Sequence, residues 1–392
     1  GRLVVSNLLE ANEMVQKIRN YIFNEDNSTN NLNCNNNLSN SIYGDWRNKV
    51  VMVSDDEDNN AYFTDIEIMS SKVKTNKPSA NILKIHSDAY SQKSTTVGER
   101  IPDAEAAINQ KVQDGALIVN YIGHGGETGW AHEQILTVPT IQNWDNSKSM
   151  PVFMTATCEF GRFDDHDRVS AGEYVLLNKN GGGIALFTTT RLVYALPNEY
   201  LNRFFYDTVF DFVNQKPQRL GDIYVGTKNK FAQYSADRNY RKFALLGDPA
   251  IKLAIPEFKV QIDSFNKDTV NALSEVVVFG HLEDEFGVDL SNFNGKVYLT
   301  FYDKESSLTT LGTNPSSDTL PFKMWKNIIY RGKSSVSNGL FSFTFKVPKD
   351  IAYSYGFSRM SFYAENGNLD ASGYNDSLII GGIDTLSLIH IS

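Results

Sequence analysis

Two residues of this sequence, His124 and Cys158, have the types and surroundings needed for covalent catalysis. His124 follows the apolar run 116–122 and stands among glycines, while Cys158 comes 34 residues later and ends a second apolar run, 152–157. A thiolate is a strong nucleophile, and an imidazole can take the thiol proton and later protonate a leaving amine. The pair therefore predicts nucleophilic catalysis by Cys158 with His124 as its base.

The elements that carry these two residues are predicted to be strands. Both apolar runs are short, rich in β-branched residues and followed by loop residues, as is typical of strands buried on both faces of a sheet. In open α/β sheets, reactive groups collect where parallel strands end. We therefore expect His124 and Cys158 to lie at the same edge of a parallel sheet, close enough for one substrate to contact both.

Strand and helix patterns alternate along the first 255 residues and predict the rest of this sheet. Further strands are expected at 50–53, 82–85 and 184–189, and helices at 7–23, 62–73, 102–113, 171–178, 198–213 and 220–234. This alternation indicates the α/β class, with a mostly parallel sheet covered by helices on both faces.

The pattern changes at Ile255-Pro256. Short alternating segments follow, the clearest at 276–279, 295–302, 339–347, 358–364 and 377–380, and they predict an all-β immunoglobulin-like sandwich. The expected domains are therefore 1–256 (α/β), 257–385 (β-sandwich) and a tail, 386–392. The Ser-, Thr-, Asn- and Gly-rich stretch 308–320 predicts a long mobile loop.

Composition and charge exclude several classes of function. The formal charge of −9 is spread along the chain without a basic tract, which argues against nucleic-acid binding. No apolar stretch approaches the length of a membrane-spanning helix, and the first residues carry no signal-peptide pattern. Two cysteines cannot form a disulfide framework, and Cys34 lies in an Asn-rich tract expected to be a solvated loop.

Metal sites are weakly indicated. A zinc site of His124, His132, Glu133 and His166 is not expected, because the sequence lacks HExxH and paired Cys-x-x-Cys spacings. The acidic run 55–58 and the acids at 164, 165 and 167 lack the glycine and closing Glu of an EF-hand loop. A solvated acidic loop is the preferred interpretation of each, and calcium binding stays open.

Several longer stretches resemble one known family. They include GRLVVSNLLEANEMVQKIRNYI, GHGGETGWAHE, TATCEFGRFDD, GGGIALFTTTR and FALLGDPAIKL. This wording resembles the gingipain family (C25) of cysteine peptidases in the caspase-like clan, and within it the PorU-type signal peptidases, or sortases, of the type IX secretion system. The resemblance covers about residues 1 to 255, and it leads us to expect that the catalytic domain is truncated at its N-terminus.

The resemblance implies further roles for residues of this sequence. The backbone N–H groups of Gly125 and Cys158 would form the oxyanion hole, and the side chains of Thr189, Arg191 and Trp130 are candidates for the substrate pocket. No cofactor would be required, although calcium occurs in the family. The implied partners are secreted cargo proteins with C-terminal sorting domains and outer-membrane proteins of the secretion machinery, at the bacterial cell surface.

The sequence therefore predicts a cysteine endopeptidase or transpeptidase. It would remove C-terminal sorting domains through an acyl-enzyme on Cys158 and pass the acyl group to water or to an amine of a surface glycolipid. The alternative is a non-catalytic scaffold of the same fold that docks secretion partners. The presence of both His124 and Cys158 argues against that alternative.

Overall fold

The computed structural model describes residues 1–23, 42–96, 98–213 and 216–383, which form two compact units. The first unit comprises Gly1–Ile42, Lys49–Ile255 and Thr309–Pro321, and the second comprises Tyr43–Asn48, Pro256–Leu308 and Phe322–Ser392. A single boundary near residue 256 was predicted. It misses two segments, 43–48 and 309–321, which each belong to the other unit than the chain before and after them and which we call the exchanged segments. Cys34 and the predicted tail, 386–392, lie outside the described residues.

The first unit is built from short strands and seven helices within the described ranges. Its strands are β1 Lys49–Ser54, β2 Asn81–His86, β3 Lys93–Thr95, β4 Gly98–Arg100, β5 Ile118–Ile122, β6 Gly125–Gly126, β7 Gly129–Trp130, β8 Leu136–Thr137, β9 Val152–Ala156, β10 Ala185–Thr189, β11 Phe212–Val213, β12 Lys216–Pro217 and β13 Phe243–Leu246. Its helices are α1 Leu8–Phe23, α2 Ala61–Asn76, α3 Pro102–Gln113, α4 Val138–Gln142, α5 Ala171–Leu177, α6 Ala195–Tyr206 and α7 Leu220–Tyr234.

The central sheet has six strands in the order β13-β10-β9-β5-β1-β2. All neighbours are parallel except β13, which pairs antiparallel with β10 at one edge. The predicted α/β class with a mostly parallel sheet is therefore confirmed. Strand β13 was not predicted, and α6 ends at Tyr206 instead of continuing to residue 213.

Helices cover both faces of this sheet, as the fully buried strands require. On one face, Val51, Val119 and Phe153 share a core with apolar residues of α1, α3, α4 and α5. On the other face, α6 contributes Phe205, whose ring lies 5.0 Å from that of Phe187 in β10. Among the described residues, no helix is long and apolar enough to cross a membrane.

The second unit is all-β, as predicted for this part of the chain. Its strands, including two that continue into the exchanged segment, are β14 Phe258–Phe265, β15 Thr269–Ala272, β16 Glu275–Glu283, β17 Gly295–Tyr302, β18 Ser306–Thr309, β19 Pro321–Met324, β20 Ile328–Val336, β21 Leu340–Lys346, β22 Gly356–Phe357, β23 Arg359–Glu365, β24 Asp370–Asn375 and β25 Ile379–Ile383.

Most of these strands belong to one seven-stranded sheet in the order β20-β17-β23-β24-β14-β16-β21, with a three-stranded sheet, β15-β25-β22, beside it. The two end strands approach each other, since Tyr330 in β20 stacks on Phe345 in β21 at 4.2 Å. Strand twist and irregular register in β14 and β17 let a large sheet curl in this way around one apolar core.

The exchanged segment 43–48 is fixed inside the second unit by buried polar contacts. Arg47 Nη1 lies 2.9 Å from Asp370 Oδ2, and Asn48 Nδ2 donates to Phe362 O at 3.1 Å. The other exchanged segment, 309–321, overlaps the stretch 308–320 that was predicted to be a mobile loop. It is instead hydrogen-bonded within the first unit, for example to Asp88.

Candidate active site

The predicted pair is placed by the register of the central sheet. Ser54 at the end of β1 pairs with Ile122 at the end of β5, and Ile122 pairs with Ala156 at the end of β9. His124 and Cys158 each lie two residues beyond these paired ends. Their predicted location at one sheet edge agrees with the structure, while their catalytic roles stay predictions.

Cys158 lies in a tight turn against the segment that follows β10. Its Sγ is 3.5 Å from the backbone N–H of Val193, and Glu159 after it has the left-handed φ of 53°. The N–H of Glu159 donates to Arg191 O at 3.3 Å. Sγ also lies 3.7 Å from Val193 O, to which the thiol can donate, so both backbone groups of Val193 hold the sulfur in place.

The imidazole of His124 faces two carboxylates. Its Nε2 lies 3.2 Å from Asp58 Oδ2 and 3.3 Å from Glu57 Oε2. Tyr62 Oη donates to Asp58 at 2.7 Å and is 3.4 Å from His124 Nε2. A proton on Nε2 bonded to a carboxylate leaves Nδ1 as the basic nitrogen, which suits His124 to accept the thiol proton.

Glu57 also holds a second imidazole. Its Oε1 lies 2.8 Å from His132 Nδ1, and the rings of His132 and His124 stack at 5.3 Å. The hydrogen bond with Glu57 raises the pKa of His132 above its usual value. The sequence showed no signal for this arrangement, because Glu57 follows β1 whereas both histidines follow β5.

The backbone of His124 is held by a buried carboxylate. Asp55 Oδ2 accepts the N–H of His124 at 2.7 Å, and Tyr121 Oη donates to His124 O. Tyr121 stacks on Trp130 at 4.4 Å. Trp130 is fully buried and supports the His124 loop through this stack, but it also lines the cleft beside Gly126 and His132, so its predicted role as a pocket residue stays a prediction.

Three acids behind this loop form a buried cluster, Asp55, Asp56 and Glu133. They are only 2%, 4% and 4% exposed, so the predicted solvated loop is wrong for residues 55 and 56. One oxygen from each lies within 4.8 Å of the others, and Asp56 Oδ1 and Glu133 Oε2 have no hydrogen-bond partner among the described residues.

Burial is the main reason that the pKa of all three carboxyls is raised. For Glu133, burial and then the charge of Asp56 raise the pKa to about 7. The pKa of Asp55 is held well above its usual value by burial and then by Asp56. Of the residues considered for zinc, His124 and His132 group with Glu57, whereas Glu133 lies in this cluster and His166 groups with Asp165 and Asp167.

Gly125 brings the backbone of the His124 loop close to the nucleophile. A Cβ at Gly125 would lie 2.7 Å from Thr157 Oγ1, so only glycine fits there. Gly125 pairs with Trp130, and Ala131 N donates to His124 O across that pair. In this antiparallel pattern the N–H of Gly125 does not donate a hydrogen bond to the neighbouring strand. It is therefore available to donate to an oxyanion.

The other two predicted pocket residues differ in exposure. Thr189 is fully buried and its Oγ1 donates to Thr157 O, so its predicted contact with substrate is wrong. Arg191 is exposed and forms a two-point ion pair with Asp164, at 2.8 and 2.6 Å. The exposed apolar residues on either side of Val193, which contacts Cys158, are Leu192 and Tyr194, 65% and 69% exposed.

An ion pair that sequence reasoning missed joins the His124 loop to the Cys158 loop. Arg162 Nη1, in the Cys158 loop, lies 2.6 Å from Glu127 Oε1, in the His124 loop. Arg162 also lies 3.4 Å from Glu159, and Ala171 N donates to Glu127 O at 2.7 Å. The motifs GHGGE and CEFGR each contain one partner, but only their opposite charges could have indicated the contact.

Residues 1–254 match the family model described as Peptidase family C25. No curated protein matches the chain. Among solved structures, the Arg-specific cysteine proteinase gingipain R (RgpB) is 12% identical, with a TM-score of 0.49 over 95% of this chain and 72% of that one. The pro- and mature-domain complex of RgpB from Porphyromonas gingivalis is 13% identical, with a TM-score of 0.48 over 92% and 73%.

Dimeric latent PorU from Porphyromonas gingivalis is 16% identical to the chain. Its TM-score is 0.34, over 88% of this chain and 44% of that one. The family match, which covers more than half of the chain, is therefore the finding that bears on function.

The buried acid cluster predicts a pH dependence of stability. The folded state keeps the proton of Glu133 up to about pH 7, whereas the unfolded state releases it near the ordinary value of 4.5. Raising the pH through this window therefore stabilises the unfolded state relative to the folded state. In a chelating buffer, Tm should fall between these pH values. Glu133→Gln should flatten the decline. A Tm that rises with pH across the window in the unsubstituted protein would contradict this.

The Glu127–Arg162 ion pair predicts an effect on turnover. Arg162→Ala should lower kcat/KM about tenfold, because the two loops lose a contact that holds their reactive groups in register. Arg168→Ala is the matched control: Arg168 lies 3.7 Å from the same Glu127 but is 73% exposed, and its loss should change little. Equal effects of the two substitutions in a peptide-cleavage assay would refute a special role for Arg162.

Proposed function

Because the chain belongs to peptidase family C25, a family of cysteine peptidases, we propose that Cys158 and His124 carry out its peptide-bond chemistry. The observation that supports this most strongly is the pairing of Ile122 with Ala156, which starts both catalytic loops at one level of the sheet edge. Two further contacts support the proposal: carboxylates lie beside His124 Nε2, and the backbone N–H of Val193 is directed at Cys158 Sγ.

The proposed reaction begins with proton transfer from Cys158 Sγ to Nδ1 of His124. The thiolate attacks the scissile carbonyl carbon, and the N–H groups of Gly125 and Cys158 stabilise the oxyanion, a contribution of about 3 kcal/mol per donor in other hydrolases. His124 then protonates the leaving amine, the C–N bond breaks and a thioester remains on Cys158. Glu57 and Asp58 stabilise the imidazolium that exists between these steps.

The proposed substrates are secreted proteins that carry C-terminal sorting domains. The sequence resemblance to PorU-type signal peptidases supports this substrate class, and the exposed side chains of Leu192 and Tyr194 offer apolar contacts to an extended peptide. A cleft of about 660 Å³ beside Gly126 and His132 offers room for the chain beyond the cut. The setting would be the cell surface, with outer-membrane partner proteins of the type IX secretion machinery.

The thioester would be resolved by water or by an amine. An amine nitrogen attacks the thioester carbonyl, its proton passes to His124 and then to the departing Cys158 sulfur, and an amide is formed. A surface glycolipid amine is the proposed acceptor, in line with the resemblance to sortases. The alternative, a non-catalytic scaffold, would not require carboxylates at His124 or an N–H at Cys158 Sγ.

Calcium is a proposed structural ligand, because the buried acid cluster fits it. Asp55, Asp56 and Glu133 each offer a hard oxygen donor within 4.8 Å of the others, and one carboxylate oxygen of Asp56 and one of Glu133 lack a partner among the described residues. Bound calcium would neutralise the buried negative charge behind the His124 loop. The chemistry itself would remain with Cys158 and His124.

A cargo peptide incubated with glycinamide tests the reaction. An amide adduct should appear and increase with amine concentration, while Cys158→Ala should abolish both adduct and hydrolysis and His124→Ala should leave at most a small remnant. Cleavage that persists in Cys158→Ala would overturn the mechanism. Cleavage without an adduct at high amine concentration would support hydrolysis and contradict transfer to an amine. An absence of cleavage together with unchanged partner binding would favour the non-catalytic scaffold.

Thermal unfolding tests the calcium proposal separately from activity. Millimolar calcium should raise Tm by several degrees at pH 7.5, because binding to the folded state alone stabilises it. Glu133→Gln should abolish most of this rise, whereas Glu159→Gln, an acid in the Cys158 loop, should preserve it. An unchanged Tm in calcium would rule out the site without affecting the peptidase proposal.

A further inference from the structure

Segment 309–321 belongs to the first unit, although the chain before and after it belongs to the second. Asp88, which is 4% exposed, holds one side of this segment. Its carboxylate accepts the N–H of Gly312 at 2.9 Å and of Thr313 at 2.8 Å, and its carbonyl accepts the N–H of Leu311 at 2.7 Å. The segment is therefore fastened to the end of β2, next to the acidic loop that follows β1.

The other side of the segment binds the acidic loop itself. Asn60 forms a two-point contact with the backbone of Asp318: Nδ2 donates to the carbonyl at 3.0 Å, and Oδ1 accepts the N–H at 2.7 Å. Ser317 Oγ donates to Asp56 O at 2.9 Å. These bonds enclose residues 57–59, which include Glu57 and Asp58, the carboxylates at His124.

The conformation of this acidic loop requires support. Asp58, Asn59 and Asn60 have φ angles of 58°, 56° and 62°, three consecutive left-handed residues without a glycine. Side chains with a Cβ disfavour this region, and Asn and Asp tolerate it only as isolated residues in most proteins. Such a run persists where surrounding contacts determine it, and Asn60 itself makes the contact with Asp318.

We propose that segment 309–321 is a positioning element of the active site: through Asn60 and Ser317 it holds the left-handed turn that places Glu57 and Asp58 at His124. The proposal rests on the proposed function, since it concerns the base of the same reaction. Residues 309–321 touch neither reacting group in this scheme. They act through the carboxylates, which orient the imidazole and stabilise its protonated form.

Asn60→Gly separates this role from simple backbone strain. Glycine adopts the left-handed conformation readily, so the turn remains accessible while both bonds to Asp318 are lost. With a peptide that the unsubstituted enzyme cleaves, kcat should fall about tenfold and KM should stay nearly constant, because the orientation of the base is affected and substrate contacts are not. Ser317→Ala should cause a smaller loss, about threefold, as expected for one neutral hydrogen bond.

Ser316→Ala is the matched control for Ser317→Ala. Ser316 is the preceding serine, and its Oγ donates to Asn314 within the segment, at 2.9 Å. Its removal should leave kcat unchanged. Equal losses in the two serine variants would mean that the segment responds to any change, and would overturn the assignment of the effect to the Ser317 contact with Asp56.

A double-mutant comparison identifies the route of the effect. In a Glu57→Gln/Asp58→Asn background, Asn60→Gly should cause no further loss of kcat, because the groups that it positions are already neutral. An additional tenfold loss in that background, or an unchanged kcat for Asn60→Gly alone, would overturn the proposal.

A readout without substrate separates this proposal from the proposed function. In a Cys34→Ser background, the rate of Cys158 alkylation by iodoacetamide at pH 6.5 reports how well His124 takes the thiol proton. Asn60→Gly should lower this rate several-fold, and Ser316→Ala should not. A protein that cleaves no peptide but shows this difference would retain the positioning role and lose the peptidase, whereas equal alkylation rates would overturn the positioning role alone.

Discussion

The carboxylate of Asp55 is the contact on which the rest of the site depends. It accepts the backbone N–H of His124 at 2.7 Å from a position that is only 2% exposed. Burying a carboxylate is costly unless it is hydrogen-bonded, and here two further acids, Asp56 and Glu133, are buried beside it. Burial, and then the charge of Asp56, holds the pKa of Asp55 well above its usual value.

The parallel register of the central sheet brings three loops together at one edge. Because β1, β5 and β9 are paired without a break up to Ser54, Ile122 and Ala156, their loops leave the sheet at the same level. The first loop supplies carboxylates, the second supplies the imidazole and the third supplies the thiol. The Glu127–Arg162 ion pair joins the second loop to the third.

Local features of the sequence were sufficient to predict β1, β2, β5, β9 and β10 and the candidate reactive residues after β5 and β9, but not the edge strand β13. An apolar β-branched run followed by Gly-His-Gly or by Cys carries its own signal, and so does a helix opened by Pro102. Contacts between distant segments were not predictable in this way. The pairing of Glu57 with His124 depends on the register of β1 and β5, and the burial of Trp130 depends on its stack with Tyr121.

The two exchanged segments were also not predicted, because they depend on contacts between distant parts of the chain. Composition marked residues 308–320 as a loop, but only the folded chain brings Asp88 and Asn60 to the backbone groups of this stretch. Likewise, nothing in residues 43–48 indicates a partner at Asp370. The long-range contacts of such polar residues cannot be inferred from periodicity. They nevertheless determine which segment supports which part of the site.

The central claim is that Cys158 forms a covalent intermediate, and mass spectrometry of acid-quenched reactions tests it most directly. With a cargo peptide, we predict that the N-terminal part of the substrate becomes attached to the proteolytic fragment containing Cys158 through a bond that hydroxylamine cleaves, as expected for a thioester. An acyl group on another residue, or continued product formation by enzyme whose Cys158 is fully alkylated, would contradict the account.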